Sequence, residues 1–234
     1  MTLNHALKTT AVCLALSCLV ACTSKADRLQ QSLEKGSMYV KQAEWDKANV
    51  EVRNALQIDP KNAEAYYISG QVAEAKREIQ RAYGSFSKAV ELKPDFLDAK
   101  VALGRIYLLA GDTEKADKEI SAVLSANGTH VGALTIKAAL TARQGDVPGA
   151  IEMARKLLTG AKPVPTDVSM LLAGLYNSQG RAAEALNVID AALADTPKNL
   201  GLLEVAAQIT ASDADPAVQA KAAGYFRRAT EVAP

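Results

Sequence analysis

The feature that most constrains this chain is a spacing of about 34 residues that recurs along most of its length. A glycine series shows this spacing at Gly36, Gly70 and Gly104. An alanine series and a proline pair share it, at Ala48, Ala82, Ala116 and Ala150 (with Ala185 following one residue late) and at Pro60 and Pro94. Three series with one period indicate that a single supersecondary unit is repeated, because periods of about 20 to 50 residues are typical of stacked repeat proteins.

The residue types within each unit indicate a pair of helices. Apolar residues make up 49% of the chain and aromatic residues 5%, which favours Ala- and Leu-rich helices over a β-sandwich. No alternating run of β-branched residues predicts a strand. Gly111, Gly145 and Gly180 are placed to end first helices in a left-handed residue, and Asp112 and Asp146 directly afterwards are suited to start second helices.

The pattern resembles the tetratricopeptide repeat (TPR), which has a small residue and a Tyr on its first helix, a small-large-small series on its second, and a closing Pro. Residues 63–96 illustrate the match with Tyr66, Gly70, Ala82, Phe86, Ala89 and Pro94. The resemblance implies an all-α fold, a right-handed α-α superhelix (α-solenoid) of about six helix pairs over residues 29–234. The predicted units are 29–62, 63–96, 97–130, 131–165, 166–199 and 200–234.

Two of these units depart from the pattern. The fourth has Thr141 where the repeat has Tyr, and it carries one extra residue near Pro163. In the sixth, the first helix is expected to be out of frame by three residues, with residues 212–216 as a longer turn. The second helix of that unit is expected to bury Ala222, Phe226 and Ala229.

The N-terminal segment resembles a bacterial lipoprotein signal peptide. Lys8 precedes an apolar run of about twelve residues, too short to span a bilayer as a helix, and Leu19-Val20-Ala21-Cys22 then resembles a lipobox. The prediction is a signal peptide at 1–21 and a lipidated N-terminus with a short linker at 22–28. An ordinary secretory signal with incidental cysteines, or a buried hydrophobic helix, are the alternatives.

Cys22 is therefore the predicted site of lipid attachment. Acyl chains such as palmitate on its sulfur would anchor the chain to a membrane. Thr23, rather than an Asp, follows it, which by resemblance to Gram-negative lipoproteins predicts the outer membrane, with the repeats on the periplasmic side of the cell envelope. A short linker would hold the repeats near that membrane and raise their effective concentration for membrane-associated partners.

The TPR resemblance also implies that first helices line a concave face that binds other proteins or peptides. The candidate partner-binding residues are Tyr67, Gln71, Val101, Arg105, Leu108 and Asn177, with Leu33, Ser37, Met170 and Ser178 beside them. Such a mixed surface suits an extended peptide or a helix. Arg105 and Tyr67 are the strongest candidates, because Arg and Tyr are enriched in binding hot spots. Leu33 and Ser37 stand where a carboxylate-gripping subset of the family has polar and basic residues, so that clamp is not expected.

Several classes of function are not expected. The 27 basic and 26 acidic residues give a net charge of +1, which does not favour a nucleic-acid partner. His130 is the only histidine after the leader, and no nucleophile–base set, Gly-rich phosphate loop or metal motif is present. We therefore predict a non-enzymatic protein without a metal or small-molecule cofactor.

A narrower resemblance suggests a pathway. A lipobox followed by this repeat, with the sequence EVRNALQIDP at residues 51–60, is similar to the TPR-repeat lipoproteins of PEP-CTERM/exosortase systems. This implies a scaffold for exopolysaccharide export or exosortase-linked protein sorting. Those lipoproteins are usually longer, and no polar capping helix follows the last predicted repeat. We therefore expect either a piece of a longer protein or a stack whose uncapped last repeat docks onto a partner. The alternatives are a short outer-membrane assembly lipoprotein for type IV pili or barrel proteins, and the non-catalytic repeat portion of a glycan-processing enzyme.

Overall fold

A computed structural model describes residues 24–232, and all regular secondary structure in that range is helical. Twelve long helices and one of four residues follow one another: α1 Lys25–Lys41, α2 Trp45–Ile58, α3 Ala63–Ala75, α4 Ile79–Leu92, α5 Leu97–Leu109, α6 Thr113–Ala126, α7 Val131–Arg143, α8 Val147–Leu158, α9 Thr166–Ser178, α10 Ala182–Asp195, α11 Leu200–Ser212, α12 Pro216–Gln219 and α13 Ala222–Val232. The predicted all-α class is confirmed. No helix within residues 24–232 has the length and hydropathy needed to cross a membrane.

The first helices of the second to sixth pairs begin at the residues where the sequence places the starts of those units: Ala63, Leu97, Val131, Thr166 and Leu200. The first pair is different, because α1 begins at Lys25 and not at Leu29. The Ser24 hydroxyl accepts a hydrogen bond from the Asp27 amide at 3.0 Å, and the Asp27 carboxylate accepts one from the Ser24 amide at 2.9 Å. This reciprocal cap starts α1 at Lys25, within the segment 22–28 that the sequence predicts as a linker.

The sixth pair also corrects the prediction. Its first helix is in register, since α11 begins at Leu200, one repeat period after the start of α9 at Thr166. The extra residues lie in the connection to α13, where α12 forms a single turn capped by Asp215. On α13 the buried aromatic residue is Tyr225, whereas Phe226 is 52% exposed, so the burial expected of Phe226 was wrong. Ala229 is partly buried and packs against the core.

The chain divides into two compact units, Met1–Ala99 and Lys100–Pro234, and the division falls within α5. In the first unit, α1 packs against α2 and α3, and α3 packs against α4. Its core contains Leu33, Val52, Ala55, Ala65 and Ile68. In the second unit, each of α7 to α10 packs against the helix that follows it, and α11 packs against α13. Its largest core cluster is formed by residues of α8 to α11 and α13, including Leu172, Ile189, Leu202, Leu203 and Tyr225.

Small residues bring the helices of each pair together, as predicted. Ala48, Ala82, Ala116 and Ala150 are each 0% exposed. Gly70 on α3 leaves room for the fully buried ring of Phe86 on α4. The repeat period therefore marks the positions where two helix backbones approach closely.

The turns within the pairs follow the predicted chemistry. Gly111, Gly145 and Gly180 have φ values of 81°, 97° and 70°, which confirms their left-handed conformation. Asp112 and Asp146 cap the second helices by accepting hydrogen bonds from the amides of Lys115 and Gly149, at 3.1 and 2.9 Å. In the first two pairs the same left-handed position is held by Ala43 and Arg77, with φ values of 57° and 60°.

Candidate functional site: an apolar groove on three first helices

A groove of about 280 Å³ runs across first helices α5, α7 and α9 of the second unit. It is lined by Val101, Arg105, Leu108, Gly132, Thr135, Ile136, Ala139, Asp167, Met170 and Leu171. Three consecutive helix pairs thus contribute to one surface. A concave and mainly apolar surface of this kind is typical of a binding site.

The repeat places equivalent residues side by side in this groove. Val101, Thr135 and Met170 each hold the fifth position of their first helix, in three successive units. Val101 and Leu108 are 7% and 9% exposed, so they form the floor and not the rim. A Cβ at Gly132 would lie 3.2 Å from Val101 Cγ1, which shows how closely α7 passes over α5 here.

The polar groups of the groove are few. The Thr135 hydroxyl donates a hydrogen bond to the Val131 carbonyl at 2.8 Å, so its proton is already used within α7. The charged residues in the lining are Arg105 and the exposed Asp167. The groove therefore offers an apolar floor with one charge of each sign.

The structure brings three of the six predicted partner-binding residues together in this groove, namely Val101, Arg105 and Leu108. Met170, which the sequence placed beside them, lies there too. Asn177 is exposed near the end of α9, outside the residues that line the groove.

Tyr67 and Gln71 lie half-buried on α3 in the first unit. The Tyr67 ring packs against Phe86 and Phe96, with ring centroids 5.7 and 4.9 Å apart. Replacing Tyr67 by Ala would therefore disturb packing within the first unit. Leu33 is 4% exposed within the core, so it is not a surface residue. Cys22 lies outside the described residues.

Sequence reasoning did not predict the residues that α7 contributes to the groove, which include Thr135, Ile136 and Ala139. The fourth unit departs from the repeat pattern, and no binding residue was assigned to it. The 34-residue spacing does indicate two of them, because Thr135 and Ala139 lie one repeat after Val101 and Arg105.

Within residues 24–232, no group of three or more His, Cys, Asp or Glu side chains is arranged to hold a metal ion. The His130 ring caps α7, with Nδ1 accepting a hydrogen bond from the Ala133 amide at 3.3 Å. Asn62 and Asn199 cap α3 and α11 at the equivalent position, with amide oxygens 2.9 and 3.1 Å from the backbone N–H groups of Ala65 and Leu202. The local role of His130 is therefore the same as that of an N-cap asparagine.

The helix pairs agree with the comparison to known families. Residues 20–165, more than half of the chain, match the family described as cytochrome c-type biogenesis protein H TPR domain. The chain belongs to this TPR family. Residues 137–199 match a further family described as tetratricopeptide repeat, which extends the repeat into the fifth pair.

Individual relatives share the repeat and the fold. Tetratricopeptide repeat protein 37 of Xenopus laevis is 28% identical over 123 residues, which are 51% of this chain and 8% of that protein, so the chain spans only a small part of that relative's length. The structure of Pseudomonas aeruginosa pilF has a TM-score of 0.57 and 17% identity, covering 90% of this chain and 94% of that one. The Thermus thermophilus TPR protein TTC0263 has a TM-score of 0.64 and 20% identity, covering 85% and 99%. These structures show a shared TPR fold.

Proposed function

We propose that this protein is a membrane-anchored TPR scaffold that binds an extended, mainly apolar segment of a partner protein. The observation that supports the proposal is the groove across α5, α7 and α9, in which Val101, Leu108 and Met170 form one apolar surface. A segment lying along it would bury apolar side chains against these residues and place polar groups near Arg105 and Asp167. Affinity would come mainly from the floor, and orientation from the two charges.

The groove has the residues of a binding site and not of a catalytic one. It contains no His, Cys or Lys, and its one hydroxyl, that of Thr135, donates to the backbone. A nucleophile needs an adjacent base to be activated, and no such pair lines this surface. We propose that the protein acts by binding alone.

The proposed location is the periplasmic face of the outer membrane, through acyl chains on Cys22. The lipobox-like segment ending at Cys22 supports this. Palmitate labelling of the wild type and Cys22→Ala tests it, with label expected on the wild type alone. Equal labelling of both proteins would contradict the anchor.

For the pathway, we propose exopolysaccharide export or exosortase-linked protein sorting, on the similarity of residues 51–60 to that lipoprotein group. A second candidate is an envelope assembly factor. It is favoured by the family description, which names cytochrome c-type biogenesis. Assembly of type IV pili belongs to the same candidate, although the likeness to Pseudomonas aeruginosa pilF is a likeness of fold.

The groove is tested by placing a photo-crosslinking amino acid at Ala139, which lines it, and at exposed Lys118 on α6 as the matched control. We expect the partner to crosslink from Ala139 and not from Lys118, and the crosslink to weaken in Arg105→Ala. Equal crosslinking from both positions would show that the groove is not the binding site. The identity of the crosslinked protein separates the two candidate pathways.

A further inference from the structure

A second cleft lies among the second helices of the same unit, between α8 and the start of α10. It consists of two adjoining cavities of about 520 and 480 Å³ that share Arg155, Thr159 and Arg181. One is also lined by Val147, Pro148, Ile151, Glu152, Lys156 and Gln179, and the other by Leu158, Leu172, Tyr176, Glu184 and Val188.

This cleft is separate from the groove on the first helices. Helix α9 contributes Asp167, Met170 and Leu171 to the groove, but Leu172 and Tyr176 to the cleft. These two sets lie on different sides of α9. A ligand in the cleft would therefore not compete directly with a segment bound in the groove.

Most of the charges around the cleft neutralise one another. Lys156 pairs with Glu152 at 2.8 Å. Arg181 donates two hydrogen bonds to Glu184 Oε1, at 2.8 and 2.6 Å, and its guanidinium lies 4.4 Å from the centre of the Tyr176 ring. These contacts hold the Arg181 side chain in place against Tyr176.

Arg155 differs from these paired residues because its charge has no partner in the described part of the chain. It lines both cavities and is exposed, and within residues 24–232 its side chain has no hydrogen bond or ion pair. A guanidinium presents five N–H donors in a planar fork that fits a carboxylate with two parallel hydrogen bonds. The cleft thus holds one uncompensated positive charge at its centre.

The surroundings of Arg155 define what kind of anion fits. Val147, Pro148 and Ile151 form an apolar wall on one side, and Leu158 and Val188 form one on the other. Among the described residues that line the cleft, Arg155 is the one cation whose charge is not paired with a carboxylate, so the cleft offers no second free cation to a polyanion such as nucleic acid or an acidic polysaccharide. The site suits a single carboxylate flanked by apolar side chains.

We propose that the cleft between α8 and α10 binds a peptide segment of a partner protein in which an Asp or Glu carboxylate is flanked by apolar residues. Arg155 donates hydrogen bonds to the carboxylate, and the apolar walls contact the neighbouring side chains. This surface adds a second peptide site to the one proposed in the groove and does not depend on it.

The test is an NMR titration of the full ¹⁵N-labelled chain with two amidated peptides, acetyl-Gly-Leu-Asp-Leu-Gly and acetyl-Gly-Leu-Asn-Leu-Gly. We expect the Asp peptide to bind about tenfold more tightly than the Asn peptide, with shifts centred on α8 and α10, because charge-assisted pairs are roughly twice as strong as neutral ones. Arg155→Gln is expected to abolish the preference, and Arg155→Lys, which keeps the charge but loses the fork, to retain part of it.

Two further variants serve as controls. Lys118→Gln removes an exposed cation on α6, outside the cleft, and Arg105→Gln changes a residue of the groove, so both should keep the preference for the Asp peptide. Circular dichroism should show that Arg155→Gln folds as the wild type does, since the side chain is exposed. The proposal is overturned if neither peptide binds at millimolar concentration, if the preference survives Arg155→Gln, or if heparin binds through Arg155 more tightly than the Asp peptide.

Discussion

Gly70→Ala is the substitution that tests the packing of the helix pairs most directly. An added Cβ would lie 2.4, 2.5 and 2.8 Å from Cε1, Cδ1 and Cζ of Phe86. The Phe86 ring is 0% exposed and packs against Tyr67, so it cannot move aside into solvent. The two helix backbones must separate or the ring must leave its position.

The expected change in the free energy of unfolding for Gly70→Ala is the difference between two effects. Ala is favoured over Gly within a helix by about 0.5 to 1 kcal/mol. Forcing extra volume into a packed core costs about 1 to 3 kcal/mol, and the close contacts here place Gly70→Ala at the upper end of that range. We therefore expect a net loss of about 2 kcal/mol in the free energy of unfolding, or roughly 5 °C in Tm for a chain of this size.

Other glycines provide matched controls. Gly84→Ala, on the exposed side of α4, meets nothing within 4 Å and is expected to stabilise the protein by about 0.5 to 1 kcal/mol. Gly36→Ala lies 3.6 Å from Ile68, an ordinary contact, and should be neutral or stabilising. Gly104→Ala meets Ile120 Cδ1 at 2.8 Å, but this is the end of a flexible side chain, so its effect should fall between the others.

The assay is urea unfolding followed by far-ultraviolet circular dichroism, with the midpoint and the slope both recorded because repeat proteins can unfold in parts. Gly70→Ala should have the lowest midpoint and Gly84→Ala the highest. The reasoning would be refuted if Gly70→Ala were as stable as the wild type, or if the variants did not differ from one another.

Three further changes have defined outcomes. Asn62→Ala removes the acceptor for the Ala65 amide and should cost about 1 kcal/mol in urea unfolding, whereas Asn62→Ser should retain most of the stability. Burial and the 2.8 Å hydrogen bond that its hydroxyl donates to Asp190 raise the pKa of Tyr225 to about 12 from 10.0. Between these values the folded chain binds more protons than the unfolded chain, so stability should fall as pH rises, and urea midpoints of Tyr225→Phe should lose that dependence. Arg105→Gln should weaken partner crosslinking from the groove while circular dichroism shows that the chain stays folded, and unchanged crosslinking would show that Arg105 does not belong to the site.

Part of the candidate site followed from helix-face positions alone. Val101, Arg105 and Leu108 lie at successive turns of one helix, so a correct repeat register was enough to place them on one surface. The contribution of α7 did not follow, because the fourth unit has weaker repeat signals. The cleft around Arg155 was also missed, since it depends on which cations are paired across helices, and sequence spacing does not show that.

The sequence by itself determined the helix pairs, their starts at the repeat period and the chemistry of their turns. These features are local, because a left-handed Gly111 or a capping Asp112 acts within a few residues of the chain. Only the tertiary structure decided how equivalent residues differ. Gly36, Gly70 and Gly104 hold one repeat position, yet the side chain opposite differs. An added Cβ would meet the rigid ring of Phe86 at Gly70, but an isoleucine side chain at Gly36 and Gly104. Likewise Tyr225, and not Phe226, is buried on α13. The repeat period predicts which residues lie at a contact between two helices. The side chain opposite lies on another helix, and its shape and mobility decide whether a larger residue fits at that contact.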